Sequence, residues 1–213
     1  MTPNREDYLK AFYKLGKNGQ LITNKQLADE LRISPASVTE MLSKLSKEGM
    51  IEYQAYKGSK LTALGLQKTI AFVRGHRLWE VFLIRHLGYS WSEAHEDAEL
   101  LEHVTTERLT TRLDKFLNYP AYCPHGSMIP SLDGTPEALF TRELSMLEIG
   151  EASVIRRVNE EKELLDYLQA LGLEIDAAFT VTAKEPYEGS ITITLADKAI
   201  TLSYKAACQI FVG

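Results

Sequence analysis

Only two cysteines occur, Cys123 and Cys208, far apart in the chain. That is too few for a disulfide framework, so free thiols and a reducing compartment are the expectation. No apolar run approaches the roughly 18 to 20 residues that span a bilayer. The opening MTPNREDYLK carries charges where a secretory signal needs an apolar core, so a cytoplasmic location with no membrane partner is expected. The sequence also lacks H-E-x-x-H, G-x-S-x-G and a glycine-rich phosphate loop, and its acids offer no evident nucleophile and base pair. These absences point away from an enzyme. An overall excess of positive charge is missing too, since 24 Lys and Arg stand against 29 Asp and Glu, for a net charge of -5.

Nucleic-acid binding depends on local potential rather than net charge. Residues 1–65 carry ten Lys and Arg against seven Asp and Glu, residues 66–145 eight against eleven, and residues 146–213 six against eleven. The positive charge therefore collects at the N-terminal end and the acids collect downstream. These same boundaries divide the chain into three expected domains.

In the first, Tyr8, Leu9, Phe12, Tyr13 and Leu15 fall on one side of a helix over residues 4–16, which Gly16, Asn18 and Gly19 bring to an end. Thr23 and Gln26 form a capping box for a short second helix with Leu27 and Leu31 inward. Ser34 caps a third helix, with Pro35 at its first position and Val38, Met41, Leu42 and Leu45 as its buried stripe. Met50 to Tyr53 and Lys60 to Leu61 flank a turn at Lys57 and Gly58, a two-stranded wing with a basic tip. The sum is a winged helix-turn-helix, whose second helix enters the major groove of double-stranded DNA. Its DNA-facing residues are then Ser34, Pro35, Ala36, Ser37, Thr39, Glu40, Lys44 and Lys47, with Lys57 and Lys60 from the wing. A bare protein-interaction module is the alternative for this unit.

The second segment reads as two long helices, Thr62 to His86 and Ser92 to Leu117. The first carries Ile70, Phe72, Val73, Leu78, Trp79, Val81, Phe82 and Leu83, more apolar surface than one neighbour needs, which suggests a homodimer interface. A stretch rich in Pro and Gly from Tyr119 to Pro136 follows, carrying Cys123 and His125. The third segment predicts a helix from Glu161 to Leu171 and alternating strands including Ser190 to Leu195 and Ala199 to Tyr204, a small antiparallel β-barrel.

Glu99, Glu102 and His103 stand at i, i+3 and i+4 of the second long helix, so three side chains one turn apart can meet one ion. Two carboxylates and an imidazole suit Mn(II) or Fe(II), and Zn(II), Co(II) or Cd(II) can enter such a site in vitro. His76 and Glu80, at i and i+4, and the Cys123-x-His125 pair are a second constellation. Glu93, Glu96 and Asp97 read as a solvated face.

The stretches ISPASVTEMLSKLSKEGMIEY, RGHRLWEVFL, AELLEHVTTE and CPHG together resemble the diphtheria toxin repressor family, in particular its manganese-responsive branch, over nearly the whole chain. The resemblance implies a mainly α protein with a winged helix-turn-helix over 1–65, a helical dimerisation and metal-binding domain over 66–145, and a C-terminal SH3-like, FeoA-like domain over 146–213. It implies that Asp7 joins Glu99, Glu102 and His103 in one site, where a carboxylate in place of the iron branch's Met leans toward manganese. It implies a second site of His76, Glu80, Cys123, His125 and Glu160, while His95 matches a further histidine found in some relatives. The function implied is metal-dependent repression of metal-homeostasis genes such as those of metal uptake, with double-stranded operator DNA as partner. The alternatives are a winged-helix repressor answering to an organic ligand and, further off, a metal-dependent hydrolase.

Overall fold

A computed structural model describes residues 4–16, 20–54, 57–131 and 140–213. Two compact units divide the chain, one of Met1–Gly75 with Pro130–Thr135 and one of His76–Ile129 with Pro136–Gly213.

In the first unit, helix α1 (Arg5–Leu15) begins at Asn4, whose side chain accepts from the amides of Glu6 and Asp7. Helix α2 (Asn24–Leu31) opens on the Thr23–Gln26 capping box, and its C-cap Arg32 takes a left-handed φ of 54° to turn the chain. Helix α3 (Pro35–Lys47) starts from Ser34 with Pro at its first turn. Strands β1 (Ile51–Gln54) and β2 (Gly58–Leu61) pair antiparallel, so the second strand of the wing begins at Gly58 rather than at Lys60. An isolated bridge from Ile22 to Ser59 adds a third edge to the wing. Gly58 is required at that edge: its φ is +126°, and a Cβ there would stand 2.5 Å from the Ile22 carbonyl oxygen. Tyr8, Leu9, Phe12, Leu27, Val38, Leu42, Leu45 and Ile51 form one apolar core, which fixes the exposed side of α3 outward. The expected turn at Asn18 and Gly19 lies outside the described residues.

Helix α4 (Ala63–Leu87) starts in the first unit and ends in the second. The expected helix from Ser92 to Leu117 is instead three elements: α5 (Trp91–Leu101), a 3-10 turn (Glu102–Val104) and α6 (Glu107–Phe116). The cause is local. Thr105 is extended, its hydroxyl donates to the Leu101 carbonyl at 2.6 Å, and Thr106 caps a new helix by accepting from Leu109 N. Trp79 Nε1 donates to the same Thr105 hydroxyl at 2.7 Å.

The rest of the second unit is a six-stranded antiparallel sheet in the order β3-β8-β4-β5-β6-β7. Its strands are β3 (Arg142–Glu143), β4 (Ala152–Val158), β5 (Ala178–Lys184), β6 (Ile191–Leu195), β7 (Lys198–Leu202) and β8 (Ile210–Val212). Helices α7 (Lys162–Leu171) and α8 (Tyr204–Ala207) complete it. The strand expected to reach Tyr204 stops at Leu202, because Ser203 caps α8 by accepting from Ala206 N. This small sheet domain has its own core, including Leu144, Ile155, Leu165, Phe179, Val181, Ile193 and Ile210.

Candidate metal centre and DNA-reading face

Ser34, Pro35, Ala36, Ser37, Thr39, Glu40, Lys44, Lys47 and Lys57 are exposed, and Lys60 is half-buried. Several of them already have local partners. Ser34 Oγ accepts from Ser37 N at 3.2 Å, and Thr39 Oγ1 donates to the Pro35 carbonyl at 3.0 Å while accepting from Asn24 Nδ2 at 3.1 Å. Lys44 pairs with Glu40 at 2.7 Å and Lys60 with Glu52 at 3.1 Å. Asn24, which braces Thr39 from α2, is a residue sequence reasoning missed. Asp7, on the first turn of α1, completes a second capping box: its Oδ2 accepts from Asn4 N at 2.7 Å.

The second unit gathers most of the other predicted ligands. The ligand atoms of Glu80, Cys123, His125 and Glu160 lie within 4.8 Å of one another, and so do those of His76, Glu80, His95 and Glu160, and those of His76, Glu99 and Glu102. His76 shares Glu80 Oε1 with His125, and it also stands beside the Glu99–Glu102 pair. His95, outside the expected ligands, is drawn in: its Nδ1 is 2.9 Å from Glu80 Oε1. Its spacing of i, i+4 to Glu99 was the available sequence signal. Glu99 ends up on α5 while Glu102 and His103 sit on the 3-10 turn, so the three do not share one regular helix. His103 Nε2 lies 3.9 Å from Glu102 Oε1.

The loop carrying Cys123 and His125 is built to hold them. Cys123 N donates to the Ser127 carbonyl at 2.8 Å, Gly126 N donates to the Cys123 carbonyl at 3.0 Å, and the His125 carbonyl accepts from Val158 N of β4 at 3.0 Å. Gly126 has a φ of +82°, and a Cβ on it would fall 1.9 Å from the Arg156 carbonyl oxygen, so only glycine lets this loop lie against β4. Two residues beyond β4, Glu160 accepts from Ser127 Oγ at 3.0 Å, a supporting contact no motif announced. Trp91 meets the His125 ring edge-on at 5.7 Å between centroids.

Glu80 is the hub. Its Oε1 lies 2.9 Å from His76 Nε2, 2.9 Å from His95 Nδ1 and 3.1 Å from His125 Nδ1. Burial by itself raises the Glu80 carboxyl pKa, yet His125 and His76 beside it hold it well below the usual range. Burial lowers the His125 pKa, and the Glu80 carboxylate outweighs that and raises it. Burial, reinforced by the charges of Glu80 and Glu160, pushes the Cys123 thiol well above its ordinary value. Burial and Glu80 raise the Glu160 pKa, but His125, Arg77 and His95 prevail and lower it.

These donors fit a divalent cation. Glu80 Oε2 and His125 Nε2 are buried without a hydrogen-bond partner among the described residues, a costly state that a coordinated cation would relieve. The Glu80, Cys123, His125 and Glu160 group offers one thiol, one imidazole and two carboxylates. The His76, Glu99 and Glu102 group is all nitrogen and oxygen, a harder set.

Comparison with known proteins agrees with these features. Residues 1–59 match the iron dependent repressor N-terminal DNA binding domain, residues 62–131 the iron dependent repressor metal binding and dimerisation domain, and residues 142–213 the FeoA domain. The iron-dependent repressor IdeR of Mycobacterium leprae is 30% identical over 97% of this chain and 95% of its own length. A manganese-dependent transcriptional repressor solved in complex with manganese superposes with a TM-score of 0.87 at 30% identity, covering 98% of this chain and 99% of that one. The repressor ScaR with bound Cd2+ superposes with a TM-score of 0.83 at 37% identity, covering 99% of both chains. The chain belongs to the diphtheria toxin repressor family of metal-dependent transcriptional repressors, DNA-binding proteins that regulate metal-ion homeostasis.

Proposed function

We propose that this chain is a cytoplasmic, Mn(II)-activated repressor that binds double-stranded operator DNA as a homodimer and controls genes of metal uptake. Its three domains are taken as 1–65, 66–145 and 146–213. The observation that carries the metal assignment is the donor set: Glu99, Glu102 and His76 offer only carboxylate oxygen and imidazole nitrogen, which suits Mn(II) or Fe(II). His103, read from its helical spacing, and Asp7, added by the family resemblance, keep that set hard, and the Asp7 carboxylate tips it toward Mn(II). The second site is Glu80, Cys123, His125 and Glu160, beside His76; its thiol also admits Zn(II), Co(II) or Cd(II).

A bound cation supplies the positive charge that several buried or crowded carboxylates share. Asp7 is the ligand that lies in the DNA-reading unit. Its neighbour Tyr8 is buried and donates through its hydroxyl to the Ser37 carbonyl of α3 at 3.4 Å, so whatever fixes the first turn of α1 also bears on the recognition helix. For the dimer, Leu87, Leu100, Val104 and Phe116 expose large apolar surfaces, and Phe116 sits 6.0 Å from Phe82 and 5.1 Å from His86 between ring centroids.

Gel shifts on upstream DNA with Mn(II), Fe(II), Zn(II) and EDTA test this reading. Mn(II) at low micromolar concentration is expected to give the retarded complex and EDTA to remove it. A complex that forms equally well in EDTA would refute metal activation, and a response to Fe(II) alone would refute the assignment of Mn(II).

A further inference from the structure

His76 contacts both clusters. It is 4% exposed, and its two ring nitrogens face different partners. Nδ1 lies 2.7 Å from Glu102 Oε2 and 3.9 Å from Glu99 Oε1. Nε2 lies 2.9 Å from Glu80 Oε1 and 3.2 Å from His95 Nδ1. A neutral imidazole has one lone-pair nitrogen and one N–H, so it gives a metal one nitrogen while the other donates a hydrogen bond. With Nδ1 as ligand beside Glu99 and Glu102, the Nε2 proton has Glu80 Oε1 to receive it. With Nε2 as ligand beside Glu80, His95 and Glu160, the Nδ1 proton has Glu102 Oε2. The fold satisfies both tautomers.

What separates the two cases is the loop. Cys123 and His125 give Glu80 and Glu160 a four-donor set that does not need His76. Without either of them, the remaining group of four around Glu80 is the one that contains His76 and His95.

We propose that His76 is a ligand the two clusters can use only in alternation, and that Cys123 and His125 assign it to the Glu99–Glu102 cluster by completing the other. The inference rests on the metal-site reading above and goes beyond it. Cys123 then has a second role: losing it removes a ligand from its own cluster and also draws His76 away from the cluster proposed to govern DNA binding. His95 is the reserve ligand that makes the transfer possible.

The test uses the full chain, stripped of metal and titrated with Cd(II) enriched in its NMR-active isotope, on protein with isotopically labelled histidine rings. Mn(II) uptake is counted in parallel by equilibrium dialysis. In the wild type, two ions per subunit are expected, with cadmium coupled to His76 Nδ1 and the Nε2 proton retained. In Cys123→Ala, the first ion should couple to His76 Nε2 and to His95, and the second ion should bind at least about tenfold more weakly, the size of shift expected when a shared ligand is lost. His125→Gln breaks the same set without altering the core position of Cys123 and must give the same transfer. Adding His95→Ala to either variant should return the coupling to Nδ1. Coupling to Nδ1 in both single variants, or two ions of wild-type affinity, would overturn the inference alone. Wild-type protein that takes up no Cd(II) and no Mn(II) would overturn the metal-site reading and this inference with it.

Discussion

Asp7 has two roles that a single substitution can separate. As the last member of the Asn4 capping box it accepts the Asn4 amide, a local contribution of about 1 kcal/mol that does not depend on metal. As a proposed ligand it couples metal occupancy to DNA reading. Asp7→Ala should therefore melt a few degrees lower with or without Mn(II), and Mn(II) should no longer tighten operator binding; a wild-type gain would leave only the capping role. Asp7→Met should recover part of the gain with a shift from Mn(II) toward Fe(II), since a thioether is softer than a carboxylate. The Asn4 cap went unread in the sequence, and the ligand role came only from resemblance, because a carboxylate in a helix's first turn is ordinary. Cys123 makes a second test at this scale. Its thiol pKa lies well above the ordinary value through burial and the charges of Glu80 and Glu160, so near neutral pH it is protonated and must release that proton to ligate. Metal uptake at the second site should thus release the Cys123 proton, in addition to any held by His125, whose pKa Glu80 raises, and weaken as pH falls. Cys123→Ser, titrated in weak buffer, should lose that release; an unchanged proton count would take Cys123 out of the ligand set.

Among elements, the break between α5 and α6 was the feature least visible in advance. The apolar spacing continues through residues 92–117, and periodicity alone sees one helix. The paired threonines decide otherwise, since Thr105 bonds back to Leu101 and out to Trp79 while Thr106 caps α6. Thr106→Ala should cost about 1 kcal/mol in denaturant unfolding, as lost N-caps do. A neutral result would show that α6 does not depend on this cap. The start of the recognition helix, by contrast, was legible to the residue, because Ser34 and Pro35 act locally, and Val38, Leu42 and Leu45 of its expected stripe are buried while Met41 is half-buried. The cations of this helix and of the wing are not equivalent. Lys44 and Lys60 pair with Glu40 and Glu52, so either would have to exchange a carboxylate for a phosphate to contact DNA. Lys47→Ala should reduce the salt dependence of operator binding by about one unit of slope and weaken all sequences alike, while Lys44→Ala and Lys60→Ala should do less. A change in base preference on removing Lys47 would contradict this docking.

For the whole molecule, the charge gradient and the order of the three segments were readable from composition and pattern. How the clusters share residues was not. Glu160, from beyond β4, and His95, from α5, both reach Glu80, and Gly126, by letting the His125 loop lie against β4, sets Ser127 against Glu160. Sequence spacing registers neighbours on one helix, and it does not register a loop docked on a strand. The central claim is that metal held by this constellation turns on DNA reading. Its most direct measurement is a titration of fluorescent operator DNA at fixed ionic strength with the wild type and with Glu102→Ala, each in Mn(II) and in EDTA. Glu102 is buried against His76, whereas the neighbouring Leu100 and Val104 are exposed, so the variant should stay dimeric by light scattering. The account predicts at least about a tenfold gain in wild-type affinity with Mn(II), about 1.4 kcal/mol, reversed by EDTA and absent in Glu102→Ala. Equal affinity in Mn(II) and EDTA for the wild type, or an undiminished gain in Glu102→Ala, would contradict it.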